Sequence, residues 1–120
     1  MNVLFEEDGG FKAGSIMADN DSALQVEMPT GKRSKIKAAT VLLRFEKPSA
    51  SALLEQATPL AEEIEPDFLW ECVNDGEFSF LDFARDYYGH DPAPVEATAV
   101  LLALHAAPVY FHRKGKGRFR

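Results

Sequence analysis

The chain has 120 residues, 46% of them hydrophobic, with nine Phe and a formal net charge of −6, which is apolar material for one ordinary core or two very small ones. No apolar run approaches the ~20 residues of a bilayer-spanning helix, and the start, MNVLFEEDGG, has neither the basic residues nor the apolar stretch of a secretory signal, so the expectation is a folded cytoplasmic protein with no membrane partner. The charge is partitioned: Lys32, Arg33, Lys35, Lys37, Arg44 and Lys47 face only Glu46 between Gly31 and Lys47, His112–Arg120 holds five more Lys or Arg and no acid, and Ala50–Glu96 sets twelve acids against Arg85.

The first 46 residues read as short strands. NVLFEE, GFKAGSIMA, ALQVEM, KRSKIKA and TVLLRF are apolar-rich runs, and EDGG, DNDS and PTGK separate the first four with turn residues. Phe11, Ala13, Ser15 and Met17 alternate with Lys12, Gly14 and Ile16, and Leu24, Val26 and Met28 alternate with Gln25 and Glu27, the period of two that a half-buried strand requires. Five strands in one meander from so few residues predict a small closed or nearly closed barrel of the SH3/OB-like kind, because closure removes exposed edges. DNDS, Asp19 to Ser22, lacks the Gly and the distal Glu of a calcium loop and reads as a hairpin turn.

From EKPSASA onward the pattern becomes helical. Leu53, Leu54, Ala57, Leu60, Ala61 and Ile64 recur at three- and four-residue intervals, and Pro59 predicts a kink or a new helix capped by Thr58. A second helix begins at Pro66 and stops at the NDG turn; Cys72 within it reads as a small buried hydrophobe. After a short extended EFSF, Ser79 with Asp82 resembles a capping box, and Gly89 ends a third helix over Phe80–Tyr88. The fourth helix is expected to start from an Asp91 cap with Pro92 or Pro94 in its first turn. It continues through VEATAVLLALHAA with Leu101 and Leu102 buried and His105 as a core histidine, while His90 shapes the turn before it. VYFHRK, a GKG turn and RFR predict a closing β-hairpin.

Helix, strand, two helices and a basic hairpin is the order of a winged helix-turn-helix domain. The fold class expected is therefore α+β: a five-stranded barrel over residues 1–47, a linking helix over 48–65 and a winged-helix domain over 66–120. Arg113, Lys114, Lys116, Arg118 and Arg120 on the hairpin, and Lys32, Arg33, Lys35 and Lys37 on the barrel, are the candidate RNA-binding cations. Tyr110, Phe111 and Phe119 either stack on bases or are buried, and burial is the expectation. The fourth helix holds no Lys, Arg, Asn or Gln between Ala93 and Ala107, so it is unsuited to reading base edges. No residue pattern marks a catalytic or metal-binding centre: there is no Cys/His cluster, no Gly-rich phosphate loop before a helix and no serine elbow.

Three strings, GKRSKIKAATVLLRF, DFLWECVNDGEFSFLDFARDYYGH and PVEATAVLLALHAAPVYFHRKGKGRFR, together resemble the amino-terminal region of bacterial ribonuclease II and ribonuclease R family proteins, particularly a proteobacterial branch. The resemblance implies a parent enzyme that degrades single-stranded RNA processively from the 3′ end with Mg²⁺ at an aspartate cluster in a large central domain. That domain has no counterpart here, so the resemblance implies a fragment that carries no catalytic residue or cofactor of its own and ends at Arg120 within a hairpin strand. Its implied partners are single-stranded RNA and the catalytic domain of the same parent chain. A winged-helix DNA-binding transcriptional regulator and a protein-interaction module with acidic helices are the alternatives.

Overall fold

The computed structural model describes residues 1–72, 77–108, 111, 113–115 and 117–120, with the backbone alone described at 71, 72 and 113–115. The chain divides into two compact units, Met1–Leu54 and Glu55–Arg120.

The first unit is a five-stranded antiparallel sheet: β1 (Asn2–Glu7), β2 (Gly10–Asp19), β3 (Ala23–Glu27), β4 (Arg33–Lys37) and β5 (Val41–Phe45), in the order β4-β3-β2-β1-β5. Asp8 and Gly9, both at positive φ, close the two-residue β1–β2 hairpin, a conformation that glycine and aspartate tolerate. The DNDS segment is a turn, with the Asp21 amide donating to Asp19 Oδ1 at 3.1 Å. Val3, Phe5, Leu24, Val26 and Ile36 form one buried cluster, with Ile16 and Met28 packed against it. Leu4, one residue out of phase, is also fully buried and pairs in register with Ala13 and Leu43. Gly14 lies opposite Val3 in register; a Cβ there would meet the Glu27 carbonyl oxygen at 3.1 Å and Val26 Cβ at 3.4 Å.

Two sequence expectations for this unit fail. The sheet is not a closed barrel and not a simple meander, because a 3-10 turn at Ala38–Thr40 redirects the chain and β5 pairs with β1, leaving β4 and β5 at opposite ends. The alternation of β2 also breaks: a register shift between Ile16 and Ala18 keeps Ile16 against the core and leaves Met17 half exposed.

Across the boundary between the units runs α1 (Ala50–Glu62), one helix with Pro59 inside it. Proline removes one backbone bond, yet Leu53 and Ala57, one turn apart, are fully buried and the assignment is unbroken, so neither a new helix nor a Thr58 cap forms. The second unit continues with α2 (Pro66–Cys72), β6 (Phe78–Ser79), α3 (Phe80–Tyr88), α4 (Pro94–His105), β7 (Arg113–Gly115) and β8 (Arg118–Phe119), the three strands pairing in the order β6-β8-β7. The stop of α2 at NDG and the side chain of Cys72 lie outside the described residues.

Helix α3 has the caps its sequence implies: the Asp82 amide donates to Ser79 Oγ at 3.2 Å, and Gly89 ends the helix in the left-handed region at φ 78°. Helix α4 starts later than expected. Its cap is Ala93, whose amide donates to Glu96 Oε1 at 2.9 Å, while Asp91 accepts from Arg85 Nε at 3.1 Å. Proline disfavours the helical region for the residue before it, and Ala93, between Pro92 and Pro94, is extended, which moves the helix start past Asp91. Ala97 to Leu101, Ala103 and Leu104 are buried, but Leu102 is only partly so and His105 is exposed, correcting the expected burial of both.

Phe78 joins the elements of this unit. Its ring centroid lies 5.1 Å from Phe83, 6.1 Å from Phe111 and 6.4 Å from Phe119, and the last two rings are buried. Leu101→Ala removes a side chain with nowhere to collapse and should cost about 2–5 kcal/mol, whereas Leu102→Ala should cost clearly less; urea denaturation followed by circular dichroism measures both.

Candidate nucleic-acid interface

Strand β4 separates charge from core by its pleat. Arg33, Lys35 and Lys37 are exposed, while Ser34 and Ile36 turn inward, Ile36 into the buried cluster. Opposite them in register stand Glu27, Gln25 and Ala23 of β3. Glu27 reaches Arg33 at 3.5 Å, a long contact between exposed groups that leaves most of the cation's field intact. Lys32, Lys35 and Lys37 form no ion pair among the described residues. Arg44 differs: its Nη1 lies 2.8 Å from Asp19 Oδ2, so it is internally neutralised.

The backbone of β4 adds a second feature. The Met28 amide donates to the Lys32 carbonyl at 2.7 Å and the Ala38 amide to the Ser22 carbonyl at 3.0 Å, at the two ends of the β3–β4 ladder. In that register Ser34 and Ile36 turn their amides to β3, and Arg33 and Lys35 turn theirs to the outer edge of the sheet.

Beside this strand is a groove of about 410 Å³, whose apolar wall is Phe11, Ala13, Met28, Pro29 and Leu54 and whose rim includes Lys12 and Lys32. Lys12 is held by Glu7 at 2.8 Å, and the hydrogen bond it donates to that carboxylate raises its pKa. Lys32 is thus the cation the groove offers to a ligand. A smaller depression of about 210 Å³ lies between Met17, Gln25, Arg33, Ser34 and Lys35.

The hairpin cations are arranged less favourably. Arg118 is exposed in β8, but its Nε donates to Glu77 Oε1 at 2.6 Å. Arg120 is exposed. Arg113 and Lys114 lie in β7 by their backbone, and Lys116 and Tyr110 lie outside the described residues. Phe111 and Phe119 are buried, as expected, so neither offers a stacking face. Among the described residues, the large rings most exposed are Phe68, at 50%, and Trp70, at 51%, on α2 to either side of the fully buried Leu69; the sequence groups Phe68 with Leu69 as apolar residues of that helix and gives Trp70 no role. Their only sequence signal is spacing, since residues two apart on a helix cannot share one buried face.

Among the described residues, no three His, Cys, Asp or Glu side chains are grouped to hold a metal ion, and no helix is long and apolar enough to cross a membrane. No protein-family model, curated protein or solved structure matches the chain.

The Arg44 guanidinium, followed by the Asp21 amide, holds the Asp19 carboxyl below its ordinary pKa. A depressed folded-state pKa contributes stability that is present above the unfolded value and lost as pH falls through the folded one. Arg44→Ala should therefore raise the titration midpoint of Asp19, read by carboxyl carbon chemical shifts, and should remove the acid-side loss of stability due to this pair.

Proposed function

We propose that the chain is an RNA-holding accessory region of a ribonuclease II-like 3′→5′ exoribonuclease, and that strand β4 is where single-stranded RNA lies. The observation that carries this reading is the row Arg33, Lys35 and Lys37, exposed at a period of two on the outer strand of a sheet whose other face is core. Alternate residues of an extended strand are about 6.6 Å apart, a spacing close to that of successive phosphates in an extended nucleic-acid strand. The neighbouring groove supplies apolar surface next to Lys32, on which an unpaired base can be placed.

The finer architecture belonging to this reading is a small SH3/OB-like sheet followed by a winged helix. The order α2, β6, α3, α4, β7, β8, with β6 paired to β8, supports the second part. Duplex DNA reading is disfavoured by α4, in which Ala97 to Leu101, Ala103 and Leu104 are buried and no Lys, Arg, Asn or Gln is present. The hairpin, with Arg118 already on Glu77, serves as a secondary contact or as the docking edge for the parent's catalytic domain. Mg²⁺ and the cleavage chemistry belong to that domain.

Anisotropy titrations of a labelled 12-nucleotide single-stranded RNA at several salt concentrations test the assignment. Each phosphate contact on a single strand releases about 0.7 counterion, so Lys35→Glu with Lys37→Glu should weaken binding and flatten the log–log salt slope by up to about 1.4. Arg118→Glu should have a smaller effect, and duplex DNA of the same sequence should bind less tightly. Unchanged affinity and slope in the β4 double variant would remove the RNA track from this strand. Incubated with the chain and Mg²⁺, the RNA should be recovered intact.

A further inference from the structure

The second unit carries a surface of the opposite kind. Four rings run in sequence across α2, α3 and the turn before α4: Phe68 lies 5.9 Å from Tyr87 edge to face, Tyr87 lies 4.9 Å from Tyr88, also edge to face, and Tyr88 lies 6.1 Å from His90. Phe68 is half exposed, His90 is exposed, and both tyrosines are partly so. A large aromatic left this open is unusual for a core residue and usual for an interaction surface.

Carboxylates surround the rings. Glu96 is fixed twice, with Oε1 accepting from the Ala93 amide and Oε2 3.7 Å from His90 Nε2. Burial raises the Tyr88 pKa first, followed by the charges of Glu96, Tyr87 and Glu63. The nearby cation is already committed: Arg85 sits 3.1 Å from Asp91 and 3.6 Å from Asp82. The result is a set of ring faces, electron-rich by their quadrupole, beside carboxylates that outnumber the one nearby arginine.

We infer that the Phe68–Tyr87–Tyr88–His90 ring row, bordered by Glu63 and Glu96, is a docking surface for an arginine-rich segment of a partner protein. A guanidinium stacks on tyrosine and phenylalanine faces while donating to carboxylates in its own plane, a pairing that a lysine ammonium meets only in part. The same field repels a phosphate backbone, which separates this surface from the RNA track on β4. Because the rings brace one another edge to face, little side-chain freedom is left to lose on binding.

The test is amide chemical-shift mapping of the whole chain titrated with hexaarginine, then hexalysine, hexaglutamate and a 12-nucleotide uridine RNA. Hexaarginine should shift resonances around Glu63, Phe68, Tyr87, Tyr88, His90 and Glu96, and should bind more tightly than hexalysine. Phe68→Ala and Glu63→Gln, both at exposed positions, should each weaken it about threefold or more with the dispersed spectrum retained. Shifts scattered over all the acidic helices, or equal affinity in both variants, would reduce the effect to diffuse charge attraction and overturn the site. If the uridine RNA shifts the same resonances instead, the surface is a base-stacking platform and the inference is wrong.

Discussion

Val3, Leu4 and Phe5 are consecutive and all fully buried, and a strand can do this only if both faces of its sheet are covered. This constraint organises the first unit. Strand β1 must be interior, so β2 and β5 flank it, and the strands beyond β2 become progressively more peripheral until β4 is reached. At that edge one face still has core to contribute to, through Ile36, and the other has none. The pleat then sorts RSKIK without further instruction: apolar inward, cationic outward. The charged row follows from where the strand stands in the sheet order as much as from its composition.

The second unit is held by a different device. Phe78 brings together rings from α3, β8 and the segment at Phe111, so Phe111 and Phe119 are spent on cohesion. A hairpin whose rings are committed inward can offer only charge to a ligand, and Arg118 is already on Glu77. The likeness to a nucleic-acid-binding wing is thus one of element order, while the exposed rings of the unit lie on α2 in acidic surroundings. In the reading proposed above, the two units suit ligands of opposite charge.

What the sequence made legible was local chemistry. The five strand segments, the Asp8–Gly9 turn, the Ser79 cap and the Gly89 stop are each decided by residues within a few positions of one another, and each is found where the residues imply. Choices made by distant residues were not legible. Closure of the sheet requires β5 to meet both β4 and β1, and its alternation does not say which of them it joins. The start of α4 depended on two prolines outweighing a good cap at Asp91. The cations of β4 could be identified but not which of them are paired, and the apolar residues of DFLWECV read as one set although Leu69 is buried and Phe68 and Trp70 are half exposed. Which aromatic faces outward is a tertiary fact.

The outer edge of β4 has one more consequence. Its Arg33 and Lys35 amides point away from the ladder, so the strand is a template onto which another extended chain could add. Side chains of like charge on alternate residues discourage a second copy from doing so, because two such edges brought together would set arginine and lysine against arginine and lysine. The same row therefore acts as a gatekeeper of solubility. Any change that neutralises it, whether acetylation of Lys35 and Lys37 or their replacement by apolar residues, would remove that guard from the edge independently of any ligand.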